Sequence, residues 1–181
     1  ETLHSMMKEG KRATTSQASP GQILEALDKY RIQGDDVIYI CLWQGLSGHY
    51  QMVSRLVQDY KKEHPDFNFE IIENNCVSII ATTVTIQVLE MVKAGYSFEE
   101  VVTQARWNAD YTTGYLTVDD LDWLVKGGRL PKSAGFVGST LNVKPIVSIG
   151  EDKLKTIGAA RGRKQLYKRL IKILKEDTKD F

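Results

Sequence analysis

The chain has 181 residues, of which 42% are apolar and 26% charged, and its net charge is +1. That balance suits one ordinary globular domain or two small ones. No apolar run approaches the length of a membrane span. With His4, His49 and His64 as the only histidines, a histidine-rich metal site is excluded, and no D-x-D-x-D-G loop or paired-acid motif appears. Cys41 and Cys76 stand singly inside apolar stretches, which reads as buried thiols in a reducing, cytoplasmic setting.

In chain order, Thr14, Thr15 and Ser16 form a loop of hydroxyls ahead of a helix start. Ser19, Pro20 and Gln22 fit an N-cap, a first-turn proline and a capping box, and the helix runs to about 31. "DDVIYICL" (35–42) suits a strand buried on both faces. After "WQGLSG", Met52, Val53, Leu56, Val57 and Tyr60 mark a helix to about 62. "NFEIIEN" reads as a second strand, and 78–93 as a largely buried helix despite its threonines and valines. Ser97 with Glu100 is another capping box, opening a helix to about 109. This strand-helix alternation predicts a parallel sheet covered by helices.

The character changes near Gly114. "GYLTV" is strand-like, and "DDLDWLV" is a short helix stopped by Gly127 and Gly128. "VKPIVSI", a turn over 150–153 and "LKTIG" read as two antiparallel strands, followed by a helix over about 160–175. We expect an α/β domain over 1–114 and a smaller α+β domain over 115–181.

Three stretches could carry chemistry. "GLSGH" lacks the G-x-S-x-G spacing of a nucleophile elbow, and His49 is too near Ser47 in sequence to serve easily as its base. The Ser47–Gly48 turn instead suits an anion at a helix N-terminus, or a plain strand-to-helix turn with a serine cap. "KGGRL" places Arg129 directly after two glycines, which a helix end with a solvated arginine also explains. From 161 to 175 there are seven basic residues and no acid, a pattern commonly found on solvated faces.

Taken in order, "TTSQASPG", "GLSGHYQ", "VDDLDWLVKGGRL", "VKPIVSI" and "ARGRKQ" resemble the DegV family of bacterial fatty-acid-binding proteins, over nearly the whole chain. The resemblance implies a two-domain α/β fold, a parallel-sheet domain plus a smaller domain with antiparallel strands and helices. It implies a long-chain fatty acid held in a tunnel between the two, with no other cofactor. In the family's best understood branch the protein presents the acid to a separate fatty acid kinase and does not catalyse the transfer itself. Thr15 and Ser47 match the hydroxyls that bind the carboxylate there. Ser16, Gly48 and Arg129 accompany them as candidate ligand-binding residues, and Arg161 and Arg163 match the surface that meets the kinase. The resemblance implies neither a nucleic-acid partner nor a transmembrane segment.

This sequence departs from the family pattern at Leu42, Trp43 and Gln44, and at His49, where the family usually has threonine. The stretch "ENNCVSIIATTV" keeps Ser78 but loses both of the usual glycines. Trp43 is expected to narrow the tunnel. Two other readings follow: a DegV-like binder of a different small anionic or lipid ligand, and an enzyme using Ser47 or Arg129. The chain begins with Glu and ends on "KEDTKDF" directly after a helix, so it is expected to be a piece of a longer protein, truncated at both ends.

Overall fold

The computed structural model describes residues 2–119, 121–131, 142–149 and 153–178. The first element, α1 (Leu3–Lys8), is capped reciprocally by Thr2 and Ser5 and is absent from the sequence expectation. Helix α2 (Pro20–Gln33) begins as its sequence predicts. Ser19 Oγ accepts from the Gln22 amide at 3.3 Å, and Gln22 Oε1 accepts from the Ser19 amide at 2.9 Å. Gly34, left-handed at φ +77°, closes it two residues beyond the expected end.

Strands β1 (Val37–Leu42) and β2 (Phe69–Asn74) pair in parallel, Val37 opposite Phe69 and Leu42 opposite Asn74. A parallel pair needs a crossover, and α3 (His49–Glu63) supplies it. Val53, Val57 and Tyr60 of α3 pack with Ile23, Leu27 and Phe69 on one face of the strands. On the other face Ile72 meets Val88 of α4 (Ser78–Lys93) and Val101, Ala105 and Ala109 of α5 (Phe98–Tyr111). Both faces are therefore covered, which explains why β1 carries apolar residues at nearly every position. Each fully buried aliphatic side chain contributes roughly 1.5–3 kcal/mol to this layer.

The second sheet has the order β3-β4-β5 and is antiparallel. β3 is only Tyr115–Leu116, shorter than expected. α6 (Asp122–Lys126) starts later than the acidic run suggested. β4 (Val143–Ile149) pairs with β5 (Leu154–Arg161), and residues 150–152 of the expected turn lie outside the described residues. β5 continues through Gly158 and Ala160, so α7 (Gly162–Asp177) begins two residues later than its sequence indicated. Pro145 faces Ala159 on β5, while β3 reaches only Val147 and Ser148, so the proline's missing donor falls where β3 does not pair.

The two sheets share an apolar cluster. Trp43 and Cys76 from the parallel layer join Leu121, Leu130, Val147, Ile149 and Leu154 from the antiparallel layer. Gly114 lies at the junction, where an added Cβ would overlap the Ile80 side chain. Among the described residues, no helix is long and apolar enough to cross a membrane.

Candidate functional site

The parallel register brings the carboxyl ends of β1 and β2 to the same edge, at Leu42 and Asn74. In open α/β sheets this edge is where ligands bind. The loop leaving β1 runs through Trp43 to Gly48, and Gly48 begins α3 with no side-chain cap. α4, α6 and α7 likewise start without one, whereas α1, α2 and α5 start with reciprocal capping boxes. First-turn amides that no side chain accepts from can meet an external acceptor. Ser47 Oγ accepts from the His49 amide at 3.3 Å, which holds the hydroxyl at the head of the helix and leaves its proton available.

Arg129 reaches this loop from the other layer. Gly127 ends α6, and Gly128, left-handed at φ +76°, turns the chain so that the Arg129 amide donates back to the Leu124 carbonyl at 2.8 Å. Among the described residues the guanidinium makes three hydrogen bonds. Nη1 donates to the Gly127 carbonyl at 2.6 Å, Nε to the Leu46 carbonyl at 3.3 Å and Nη2 to Thr15 Oγ1 at 3.4 Å. Arg12 adds a second link between the same segments, donating to the Lys126 carbonyl at 2.9 Å. Thr15, the Leu46 carbonyl beside Ser47, and Arg129, far apart in sequence, thus meet. Ser16 is exposed in the Thr15 loop and Gly48 is exposed at the start of α3. Arg161 and Arg163 are exposed at the start of α7 and are separate from this group; the Asp119 carboxyl is held below its usual range mainly by the Lys144 ammonium, with a smaller contribution from Arg163.

His49 does not act on Ser47. Its Nε2 shares a 2.7 Å hydrogen bond with the Tyr39 hydroxyl, whose pKa burial pushes up, so the phenol keeps its proton. Nδ1 is buried with no partner among the described residues. Among the described residues, Ser47 Oγ is hydrogen-bonded to the His49 amide and to no imidazole nitrogen.

Residues that motif reading did not assign shape the loop. The Gln44 amide and Nε2 donate to the two Glu73 carboxylate oxygens at 2.8 and 3.1 Å, and Gln51 donates to Gln44 Oε1 at 3.1 Å. Beneath them Trp43 is 1% exposed, and a Cβ on Gly45 would overlap its ring. Their only sequence signal is that Trp43 and Gln44 break the expected pattern before "GLSG".

Chemically, a guanidinium and hydroxyls are donors of the kind that suit an anionic, oxygen-bearing group. Among the described residues no cluster of three or more histidine, cysteine or carboxylate side chains could hold a metal ion.

The chain is similar to known proteins along its whole length. The DegV family, described as "uncharacterised protein, DegV family", matches residues 1–181. A DegV domain-containing protein of Clostridium perfringens (strain 13 / Type A) is 37% identical over 165 residues, covering 90% of this chain and 57% of its own. The crystal structure of a DegV lipid binding protein from Thermotoga maritima superposes with a TM-score of 0.79 at 27% identity, over 97% of this chain and 60% of that one. DegV, a fatty acid binding protein from Bacillus subtilis, gives a TM-score of 0.72 at 27% identity, over 96% and 61%. The chain thus spans less than two thirds of the length of each of these relatives. From the match along its full length and the shared two-sheet architecture, the chain belongs to the DegV family.

Proposed function

We propose that this chain forms part of a carrier that binds a long-chain fatty acid between its two layers and presents the carboxylate to a separate fatty acid kinase. The observation that supports this most directly is the meeting of Arg129, Thr15 and the Leu46 carbonyl, next to Ser47, beside an apolar cluster shared by both layers. A carboxylate takes the hydroxyls and the cation, at roughly 1.5–3 kcal/mol per charge-assisted hydrogen bond. The tail gains about 0.8 kcal/mol for each methylene it buries. The Bacillus subtilis relative, described as a fatty acid binding protein, supports the same reading.

On this reading residues 1–114 supply Thr15, Ser16, Ser47 and Gly48, and the domain over 115–181 supplies Arg129. Arg161 and Arg163 face the kinase. The protein acts in the cytoplasm and leaves the phosphoryl transfer to its partner, with Ser47 binding rather than attacking.

The test is organic extraction of the purified protein followed by mass spectrometry, with a reconstituted kinase assay on the bound acid. A free fatty acid in the extract, phosphorylated only when carrier and kinase are both present, is the expected result. An extract without fatty acid, together with no binding of added acid, overturns the reading. Covalent labelling of Ser47 by a fluorophosphonate points instead to an enzyme.

A further inference from the structure

Glu73 is the penultimate residue of β2 and stands opposite Cys41 on β1, at the edge where both strands end. Both oxygens of its carboxylate go to the loop after β1. Oε1 accepts from the Gln44 backbone amide at 2.8 Å and Oε2 from Gln44 Nε2 at 3.1 Å, while Gln44 Oε1 accepts from Gln51 Nε2 of α3 at 3.1 Å. Gln44 is the second residue of a turn that the Leu46 amide closes on the Trp43 carbonyl at 3.1 Å. The last residue of that turn, Leu46, is the one whose carbonyl accepts from Arg129, and Ser47 follows it. One carboxylate therefore fixes the near side of a turn whose far side meets Arg129. Glu70, three residues earlier on the same strand, shows the ordinary use of such a group, pairing with Lys61 at 3.5 Å and with Arg106.

We propose that Glu73 is a positioning residue of this site, setting the Trp43–Leu46 turn so that the Leu46 carbonyl meets Arg129 and the Ser47 hydroxyl stands beside it. The claim rests on the fatty-acid reading above and adds a residue that acts through the loop rather than on the ligand. Glycines at 45 and 48 give this segment more conformations to lose, so an anchor outside it has a larger part in fixing one. A carboxylate suits the task, because hydrogen bonds to a charged acceptor are roughly twice as strong as neutral ones. Through space its charge works the other way, since a negative group near an anion site lowers affinity. Positioning and charge thus predict opposite signs when the carboxylate is removed.

The test measures hexadecanoic acid affinity and melting temperature in the wild type, Glu73→Gln, Gln44→Glu and the two together, with Glu70→Gln as the control. Glu73→Gln sets an amide N–H against Gln44 Nε2, and Gln44→Glu sets two carboxylates together. Each should weaken binding by about fivefold or more. The double variant restores an acceptor for the backbone amide at 44 and a donor for the side chain there, at the same net charge. It should return to within about twofold of the wild type. Glu70→Gln removes charge from the same strand and should leave affinity unchanged. Affinity unchanged or tightened in Glu73→Gln, or a double variant no better than the weaker single one, overturns the proposal while leaving the fatty-acid reading intact. Failure of the wild type to bind the acid removes the reading itself, and this proposal with it.

Discussion

The two loops that leave the parallel strands start at the same edge and are built in opposite ways. The loop after β1 carries Gly45 and Gly48, borrows Glu73 to hold Gln44, and takes up Arg129 from the other layer. The loop after β2 is tied down by its own buried asparagine and by bonds from Asn75 and Cys76 to the end of α5 and Thr112. Asn74 is fully buried, accepts from the Cys76 amide at 3.2 Å and donates to the Ala81 carbonyl at 3.1 Å. Ser78, left-handed at φ +55°, then starts α4. Left-handed backbone is costly for a residue other than glycine, so the sealed loop maintains strain that its buried hydrogen bonds offset. The lesson is a division of labour. One loop turns its polar groups onto its own helix start, and the other is held by Glu73 and Arg129 from elsewhere in the chain.

The largest effect should come from breaking the sealed loop. Asn74→Ala leaves a buried amide and weakens a carbonyl's pairing, and we expect a loss of about 2–4 kcal/mol. The melting temperature should drop by about 5–15 °C. Thiol labelling reads the same event locally. Burial pushes the Cys76 thiol to about 11 and the Cys41 thiol to about 12, so neither ionises near neutral pH and both should resist alkylation in the native protein. In Asn74→Ala, Cys76 should label faster than Cys41. Equal rates would show that the two loops do not differ in this way.

The open loop should show the reverse: large changes in ligand affinity and small changes in stability. Arg129→Ala should weaken fatty-acid binding by about tenfold to a hundredfold, from the loss of a charged donor. If the variant binds normally but its acid is no longer phosphorylated, the guanidinium serves the partner instead. Thr15→Val and Ser47→Ala should each cost about tenfold at an unchanged melting temperature. Thr14 and Ser16 are the internal controls and should matter less. Affinity unchanged in both single variants would sink the assignment of the carboxylate site.

How far the sequence led is clearest at particular residues. Ser19-Pro20-x-Gln22 and Ser97-x-x-Glu100 announce their helices because a capping box is local, and the structure forms both. The α1 box uses Ser5 at the third position in place of Glu or Gln, so the usual sign is missing. The sequence places the start of α7 early because Ala159 and Ala160 fit a helix as well as a strand, and pairing with Lys144 and Pro145 decides for β5. The meeting of Arg129 with Thr15 spans 114 positions, and no local pattern encodes it. Thr15, Ser47 and Arg129 could be picked out by family resemblance, whereas the Gln44–Glu73 pairing and the Tyr39–His49 bond depend on which side chains face each other after folding.

The smallest effect is expected farthest from both loops. Arg161→Glu or Arg163→Glu should slow kinase-dependent phosphorylation by about threefold at low salt, through weaker steering, with acid affinity unchanged. The difference should fade as salt rises. Tight, strongly salt-sensitive binding to duplex DNA, with no effect on the kinase, would overturn the assignment of this surface.

Trp43 and Gly45 behave as one inherited unit. Because a Cβ at position 45 would collide with the indole, any side chain there requires position 43 to become smaller first. A lineage that keeps the tryptophan is bound to keep the glycine. One that gives it up is free at both positions, and changes there should arrive in that order.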